Sequence, residues 1–480
     1  MDKRRYETDD KFWEIWVDDG QVYTHFGALE SKGQTKLKAS KDPDADVVEM
    51  IGKKVKEGYK QTAGPKLFEA PALDAKLLKK HIAAITDDPA TALPLADWLQ
   101  GQQHPWGELI ALQVGAASKK SLEKEAAKLL EQKGEAIFPA LAEPGTAATW
   151  KNGFVDRGQI GSDGNAKALL AAAKTFLSAP AAARITTVVF AAAPRTFPVW
   201  RSWESSTEHI VDPYADLDKL AALVPKGVTQ IGFGPWPASA AAAYAYFPTF
   251  TKISKAFPDV TSLELVGSAP EKLGKLSLPK LTSLVIRFAN ADDAALTAVA
   301  QAKLPKLERL EIGTGGYVNA TVDEVHYPAE WSEDQESRYP ETFSSDDLEA
   351  MDADGDSAES ACSVTTVIAA KWPASLTHLG FQSSDLSLGD VQALLDSALL
   401  KQLKTVDLSN AQLGEAMGEA IVKAKAKIAH LETLELSRNG RFSEKLVKKL
   451  KALPNVRIAK PKADDTDNAD FFFRYVATVE

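Results

Sequence analysis

The sequence predicts an α/β protein in which a parallel sheet, built from repeated strand-and-helix units, follows a small α+β domain and a helical segment. Three observations lead there. Aliphatic triplets recur at strand spacing between Ile185 and Leu436, amphipathic helical patches separate them, and residues 11–40 alternate apolar and polar positions as antiparallel strands do.

At the amino terminus the strands are KFWEIWV, QVYTHFG after the Asp19-Gly20 turn, and TKLKAS after a polar GALESKGQ connection. Asp42-Pro43 then starts a helix whose apolar stripe is Val47, Val48, Ile51 and Val55, ending near Gly58-Tyr59. Past Ala63-Gly64-Pro65, LDAKLLKKHIAAI sets Leu77, Leu78, Ile82 and Ile85 on one helical face. DPATALPLADWLQ, HPWGELIALQ and SLEKEAAKLLEQKG continue as helices, with Pro89 and Pro105 in first turns and Gly134 as a stop. Asp97, His104 and Glu108 are residue types that ligate metals or shuttle protons. A polar helix face, a turn at Gln102 to Pro105 and an acid near a helix amino terminus explain them better. Trp98 and Trp106 read as packing residues.

The run from Lys11 to Tyr59, with F-W-E-I-W-V, the later K-G-Q and the closing K-E-G-Y in order, resembles a WGR domain. That resemblance implies a compact α+β module which, in the eukaryotic poly(ADP-ribose) polymerases, contacts DNA ends and neighbouring domains. The triplet position here is Phe26-Gly27-Ala28, so the planar cationic fork of Arg is missing. Nucleic-acid contact would then fall to Lys32, Lys36, Lys38, Lys53, Lys54 and Lys56, which could meet phosphates without regard to sequence. The alternative is that they are solvated lysines on a strand and a helix. ADWLQGQQHPWGELIALQ, followed by WKNGFVDRGQI, resembles the short companion domain found beside repeats in multidomain bacterial proteins, an association that implies no activity.

Leu403, Val406 and Leu408 form L-x-x-V-x-L, and Leu431, Leu434 and Leu436 repeat it 28 residues later, with Asn439 three places on; the pattern resembles a leucine-rich repeat. Further copies start at Ile185, Val228, Val260, Leu281, Leu307 and Leu376, at intervals of 43, 32, 21, 26 and 69 residues. A single unit cannot bury its apolar face, so the resemblance implies a leucine-rich-repeat solenoid of parallel strands with outer helices. SEKLVKKLKALPNVRIA reads as its closing helix and strand. The expected organisation is a WGR-like domain over 1–66, a helical companion-like segment over 67–150, the solenoid over 151–460 with an acidic insertion at about 314–370, and a tail over 461–480. Within that tail FFFRYVATVE is apolar enough to fold back on the core or meet a partner.

The long interval of 69 holds the chain's acidity. Fourteen Asp and Glu stand against Arg338 alone between Asp323 and Glu359, and the remaining chain is near neutral at +3. Asp352, Asp354 and Asp356 do not make a calcium loop, since Gly355 and Ser363 occupy the wrong places for one. An exposed insertion is expected, with Tyr327, Trp331, Tyr339 and Phe343 as a possible short interaction segment. Deleting residues 321–360 should leave cooperative melting intact; its collapse would make the insertion structural.

Neighbours of the buried aliphatics point to the opposite side of the sheet. One such column is Val189, Gly232, Glu264, Val285, Glu311, Gly380, Asp407 and Glu435, in which Asp407 and Glu435 become adjacent like charges; Arg287, Arg309, His378 and Gln382 lie in flanking columns. Glu264, Arg287, Arg309, Glu311, His378, Asp407 and Glu435 are therefore the candidate partner-binding residues on a concave face, the alternative being that a folded repeat array exposes polar residues there in any case. No phosphate-binding loop, HExxH, G-x-S-x-G or complete dinucleotide fingerprint occurs, so the expectation is a protein that is not an enzyme and needs no cofactor or metal. Cys362 is the single cysteine and no run of about 18 apolar residues exists, which suits a cytoplasmic protein without disulfides or membrane contact. The expected function is an interaction or regulatory scaffold that binds an unidentified protein. The alternative is association with DNA or RNA through the amino-terminal lysines.

Overall fold

A computed structural model of the protein describes residues 3–41, 43–63, 70–143, 145–162, 166–192, 214–235, 247–267, 269–270, 272–288, 291–314, 363–439 and 442–459. The chain divides into two compact units, Met1–Arg157 with Thr175–Ile185, and Gly158–Lys174 with Thr186–Glu480.

The first unit opens with strands β1 (Arg4–Glu7), β2 (Lys11–Asp18), β3 (Gln21–Ala28) and β4 (Gln34–Ala39), and β5 (Lys60–Ala63) follows a helix over Pro43–Lys56. Their order is β4-β3-β2-β1-β5, antiparallel throughout. Asp19 and Gly20 both take positive φ, 48° and 68°, as a two-residue hairpin turn matched to strand twist requires. One sheet face buries Tyr6, Trp13, Ile15 and Val22 against Val47 and Ile51 of the helix; the side chains of Val48 and Val55, expected in the same stripe, lie outside the described residues. Strands β1 and β5 were not anticipated, because RRYE and KQTA are short and polar.

Helices over Ala75–Ala83, Leu93–Gly101, Pro105–Ala116 and Ser121–Ile137 follow. Asp74 caps the first by accepting from the backbone N–H of Lys76 and Leu77 at 2.8 and 3.0 Å. Pro89 begins a separate 3₁₀ turn over Pro89–Ala92 instead of the long helix expected from DPATALPLADWLQ. The helix expected to stop at Gly134 runs through it to Ile137 and ends where Phe138 precedes Pro139. The residues that carry the companion-domain resemblance lock together at the hairpin turn Asn152-Gly153. Trp106 Nε1 donates to the Gly153 carbonyl at 2.6 Å, and the Gly153 N–H donates to Gln113 Oε1 at 2.7 Å.

The second unit is mixed α/β with a large, mostly parallel sheet. β6 (Ala147–Lys151) belongs to the first unit and β7 (Phe154–Ser162) spans the division at Arg157; the strands wholly within the second unit are β8 (Thr187–Ala192), β9 (Gln230–Pro235), β10 (Ser262–Gly267), β11 (Ser283–Phe288), β12 (Arg309–Gly313), β13 (His378–Gly380), β14 (Thr405–Asp407), β15 (Thr433–Glu435) and β16 (Val456–Arg457). From β8 onward each strand pairs in parallel with the next in chain order. The register aligns like with like: Ile231, Leu263, Leu284, Leu310, Leu379, Val406 and Leu434 form one buried row. Each such side chain contributes about 1.5–3 kcal/mol on burial, so the row is a main source of the unit's stability. Helices between the strands, among them Asp293–Ala300, Leu388–Asp396, Glu415–Lys423 and Glu444–Lys451, bury residues such as Leu296, Leu394, Ile421 and Leu450.

The chain is also laced together where it leads into each strand. The N–H of Thr229, Thr261, Thr282, Glu308, Thr377, Lys404 and Glu432 each donates to the carbonyl of the corresponding residue one strand earlier, at 2.8–3.1 Å. At the exits of β14 and β15, Asn439 does similar work. Its Oδ1 accepts from Ala411 and Leu413 N–H at 3.0 and 3.1 Å, and its Nδ2 donates to the Leu408 and Leu436 carbonyls at 2.8 and 3.1 Å.

Candidate interaction face

The strand pairing assembles the outward column expected from the sequence. Val189 is opposite Gly232, which is opposite Glu264, and Val285, Glu311, Gly380, Asp407 and Glu435 follow in register. Arg457 of β16 extends the column beyond Glu435. It was overlooked in the sequence, although carrying the same register into VRIA finds it. Ser283, Arg309, His378, Thr405 and Thr433 form the flanking row.

The charged members of this face are largely engaged with one another. Arg287 NH1 donates to Glu264 Oε1 at 2.9 Å. Arg309 pairs with Glu311, and His378 Nε2 lies 2.9 Å from the same carboxylate oxygen. Gly380 leaves the Glu311 side chain room, since a Cβ there would stand 3.0 Å from Glu311 Cγ and crowd it. Gln382 Nε2 donates to Asp407 Oδ2 at 2.6 Å. Asp407 and Glu435, adjacent as expected, each also accept the backbone N–H two residues on, from Ser409 and Ser437, both at 2.9 Å. Those bonds hold the two like charges in place.

Glu311, expected as a partner-binding residue, is only 3% exposed. Its carboxylate orients Arg309 and His378 and is not itself offered to a partner. Burial opposes its ionisation, but the hydrogen bond from His378 and the charges of Arg309, His378 and Arg287 prevail and hold it below the ordinary carboxylate value of 4.5. A lowered folded-state value means that this stabilisation is full above the unfolded carboxylate's range and is lost as pH falls through the folded one. Glu311→Gln is therefore expected to flatten the acid-side decline of melting temperature; calorimetry showing an unchanged slope would remove Glu311 from that role.

The amino-terminal lysines are differently placed. Lys38 pairs with Asp46 at 2.8 Å, Lys54 pairs with Glu57 and lies over the Tyr59 ring, and Lys36 sits 5.1 Å from the Phe26 ring centre. Lys32 and Lys53 are exposed, and the Lys56 side chain lies outside the described residues. Lys36 and Lys38 are opposite Thr24 and Val22 on the edge strand β4, where charge discourages pairing with another chain. A cluster that the sequence did not announce lies on β2. Glu14 accepts from Lys3 at 2.5 Å and Arg5 at 3.1 Å, and its Oε2 lies 2.8 Å from His25 Nδ1. Burial again opposes its charge, and those three partners hold it below the ordinary value.

Asp97, His104 and Glu108 are not grouped as metal ligands. His104 caps the helix Pro105–Ala116, its Nδ1 accepting from Trp106 N–H at 3.2 Å, and burial lowers its pKa. Among the described residues no group of three or more His, Cys, Asp or Glu is placed to hold a metal, and no helix is long and apolar enough to cross a membrane. The acidic run, its three aspartates, Cys362 and the FFFRYVATVE tail lie outside the described residues. The residues bounding the acidic run are firmly held. Thr314 N–H donates to Ser384 Oγ at 3.1 Å, while Ser363 Oγ and Val364 N–H donate to the buried Asp390 at 2.7 and 3.1 Å.

No family model matches the chain, and no curated protein is matched. A crystal structure of a protein from Bacteroides fragilis aligns over 96% of this chain and 96% of its own, with 15% identity and a TM-score of 0.40. Likeness that slight speaks to neither activity nor partner.

Proposed function

We propose that this protein is a non-catalytic interaction or regulatory scaffold of leucine-rich-repeat type, acting in the bacterial cytoplasm and binding a protein partner through the polar face of its parallel sheet. One observation carries the reading: strands β8 to β16 follow one another in parallel and align a single outward column from Val189 to Arg457, flanked by side chains already fixed by their own hydrogen bonds. Groups held in this way lose little freedom on binding. Affinity would come from a few anchors on the face, with Arg309, Glu264 and His378 the most accessible. The amino-terminal WGR-like and companion-like parts would tether or orient the repeat array. Nucleic-acid binding through the amino-terminal lysines has less support, because Lys38 and Lys54 are already paired with Asp46 and Glu57.

The test is isolation of the native complex with the full-length chain and with Thr405→Arg/Thr433→Arg, which adds bulk to the face and leaves its ion pairs alone. The double variant should lose the partner while melting normally. Undiminished capture would eliminate this face.

A further inference from the structure

The segments that lead into the strands of the second unit have a charge unlike the rest of the chain. Residues 224–229, 255–261, 275–282, 301–308, 370–377, 398–404, 424–432 and 451–455 together carry twelve lysines and no arginine, against only Asp259, Glu308 and Glu432. The backbone bonds running from Thr186 to Glu432 place seven of these segments side by side, and the segment before β16 joins them through Leu434 N–H to the Asn455 carbonyl at 2.8 Å. Their lysines therefore form a rim along one edge of the sheet. With strands about 4.8 Å apart, the rim is about 34 Å long.

Part of this charge is neutralised locally. Lys280 pairs with Asp259, Lys404 with Glu432, Lys255 with Asp218 and Lys427 with Asp396. Lys226, Lys275, Lys303, Lys306, Lys371, Lys401, Lys425 and Lys451 are exposed and have no ion pair among the described residues. Favourable interaction with helix carboxyl ends accounts for Lys451 and its like. It does not account for Lys226, Lys280 and Lys306, which each follow a proline in the turn beyond the helical layer.

We infer that this rim binds the phosphate backbone of a nucleic acid, without reading its sequence. A row of ammonium groups on flexible stems suits phosphates, which need charge and not a fixed fork. The length corresponds to about one turn of a duplex, roughly 34–36 Å. An acidic protein is the weaker match, because protein interfaces are depleted in lysine and depend on desolvated apolar anchors. The rim's large apolar residues, such as Leu278, Leu304, Leu307 and Leu403, are buried in the core. Trp372 is held by its indole N–H to the Val367 carbonyl at 2.8 Å.

The experiment is fluorescence anisotropy of the full-length chain with a labelled 20-base-pair duplex over a salt series. Binding at low salt should weaken steeply as salt rises. Lys306→Glu/Lys371→Glu/Lys401→Glu should lower affinity at least tenfold and reduce the slope of log affinity against log salt by about 0.9 for each phosphate no longer neutralised. The corresponding Lys→Gln triple variant should lose affinity by a smaller factor, and both should melt like the parent chain. The inference is overturned by absence of binding at low salt, by an unaltered salt slope in the Glu variant, or by loss of binding on changing Lys32, Lys36 and Lys38 instead. Displacement of the duplex by polyglutamate at equal charge concentration would overturn the assignment to phosphate.

Discussion

Asn439→Leu is expected to destabilise the second unit by about 3 kcal/mol or more, seen as a fall of several degrees in melting temperature with no change in the first unit. The substitution keeps the branched outline of the side chain, swells it slightly, and removes four hydrogen bonds at once. The N–H groups of Ala411 and Leu413 and the carbonyls of Leu408 and Leu436 would be left without that partner in a region closed to water. Each buried polar group left unpaired costs about 1–3 kcal/mol, so partial relaxation still leaves a large effect. Asn439 is 7% exposed, which leaves water little access to replace it. A Lys445→Ala control, on the exposed side of the last helix, should change little.

Gly153→Ala should cost the first unit about 2–4 kcal/mol. The residue sits at φ 83°, and an added Cβ would stand 2.2 Å from Ile110 Cγ1 and 2.8 Å from Ile110 Cα. A side chain could swing away, but the Cα is backbone of the helix Pro105–Ala116, so that helix or the hairpin must move. Movement breaks the bonds from Trp106 to the Gly153 carbonyl and from the Gly153 N–H to Gln113. Gly20→Ala separates the two causes. Its φ is 68°, yet nothing lies within 4 Å of the added Cβ, so it should lose only about 1 kcal/mol. Chemical denaturation showing equal losses for the two variants would mean that the close approach to Ile110 contributes nothing.

The parts of this fold that could be read from the sequence are those where hydrophobic period and strand register are the same fact. A shift of one residue would turn Leu263, Leu284, Leu310 and Leu434 to the solvent side, so the spacing of the triplets already determines which residues are opposite each other. That is why the column from Val189 to Glu435 could be written down in advance. What the spacing does not contain is which charges satisfy one another. The pairing of Arg309 and His378 on one Glu311 oxygen depends on side-chain reach across two strands and on the space above Gly380. β1 and β5 were missed because each is four residues long and mostly polar: β1 buries only Tyr6 and β5 buries nothing, so neither shows an alternating pattern. Gly134 misled because its low helix propensity was outweighed: the residue is buried within the helix Ser121–Ile137, and its carbonyl accepts the Phe138 N–H at 2.8 Å in the last helical turn. The rim of lysines was equally invisible, since its members are scattered over more than 200 residues and meet only when the strands do.

The most direct measurement on the proposed interaction face is acylation of histidines in the native complex, with and without the partner. His378 projects from the face at 19% side-chain exposure, while His81 stacks on Trp98 and His430 is bonded to the Leu400 carbonyl at the rim. The account predicts that the partner protects His378 and leaves His81 and His430 reacting as before. Equal labelling of His378 in the free protein and the complex, with protection moved to His25 or His430, would contradict it.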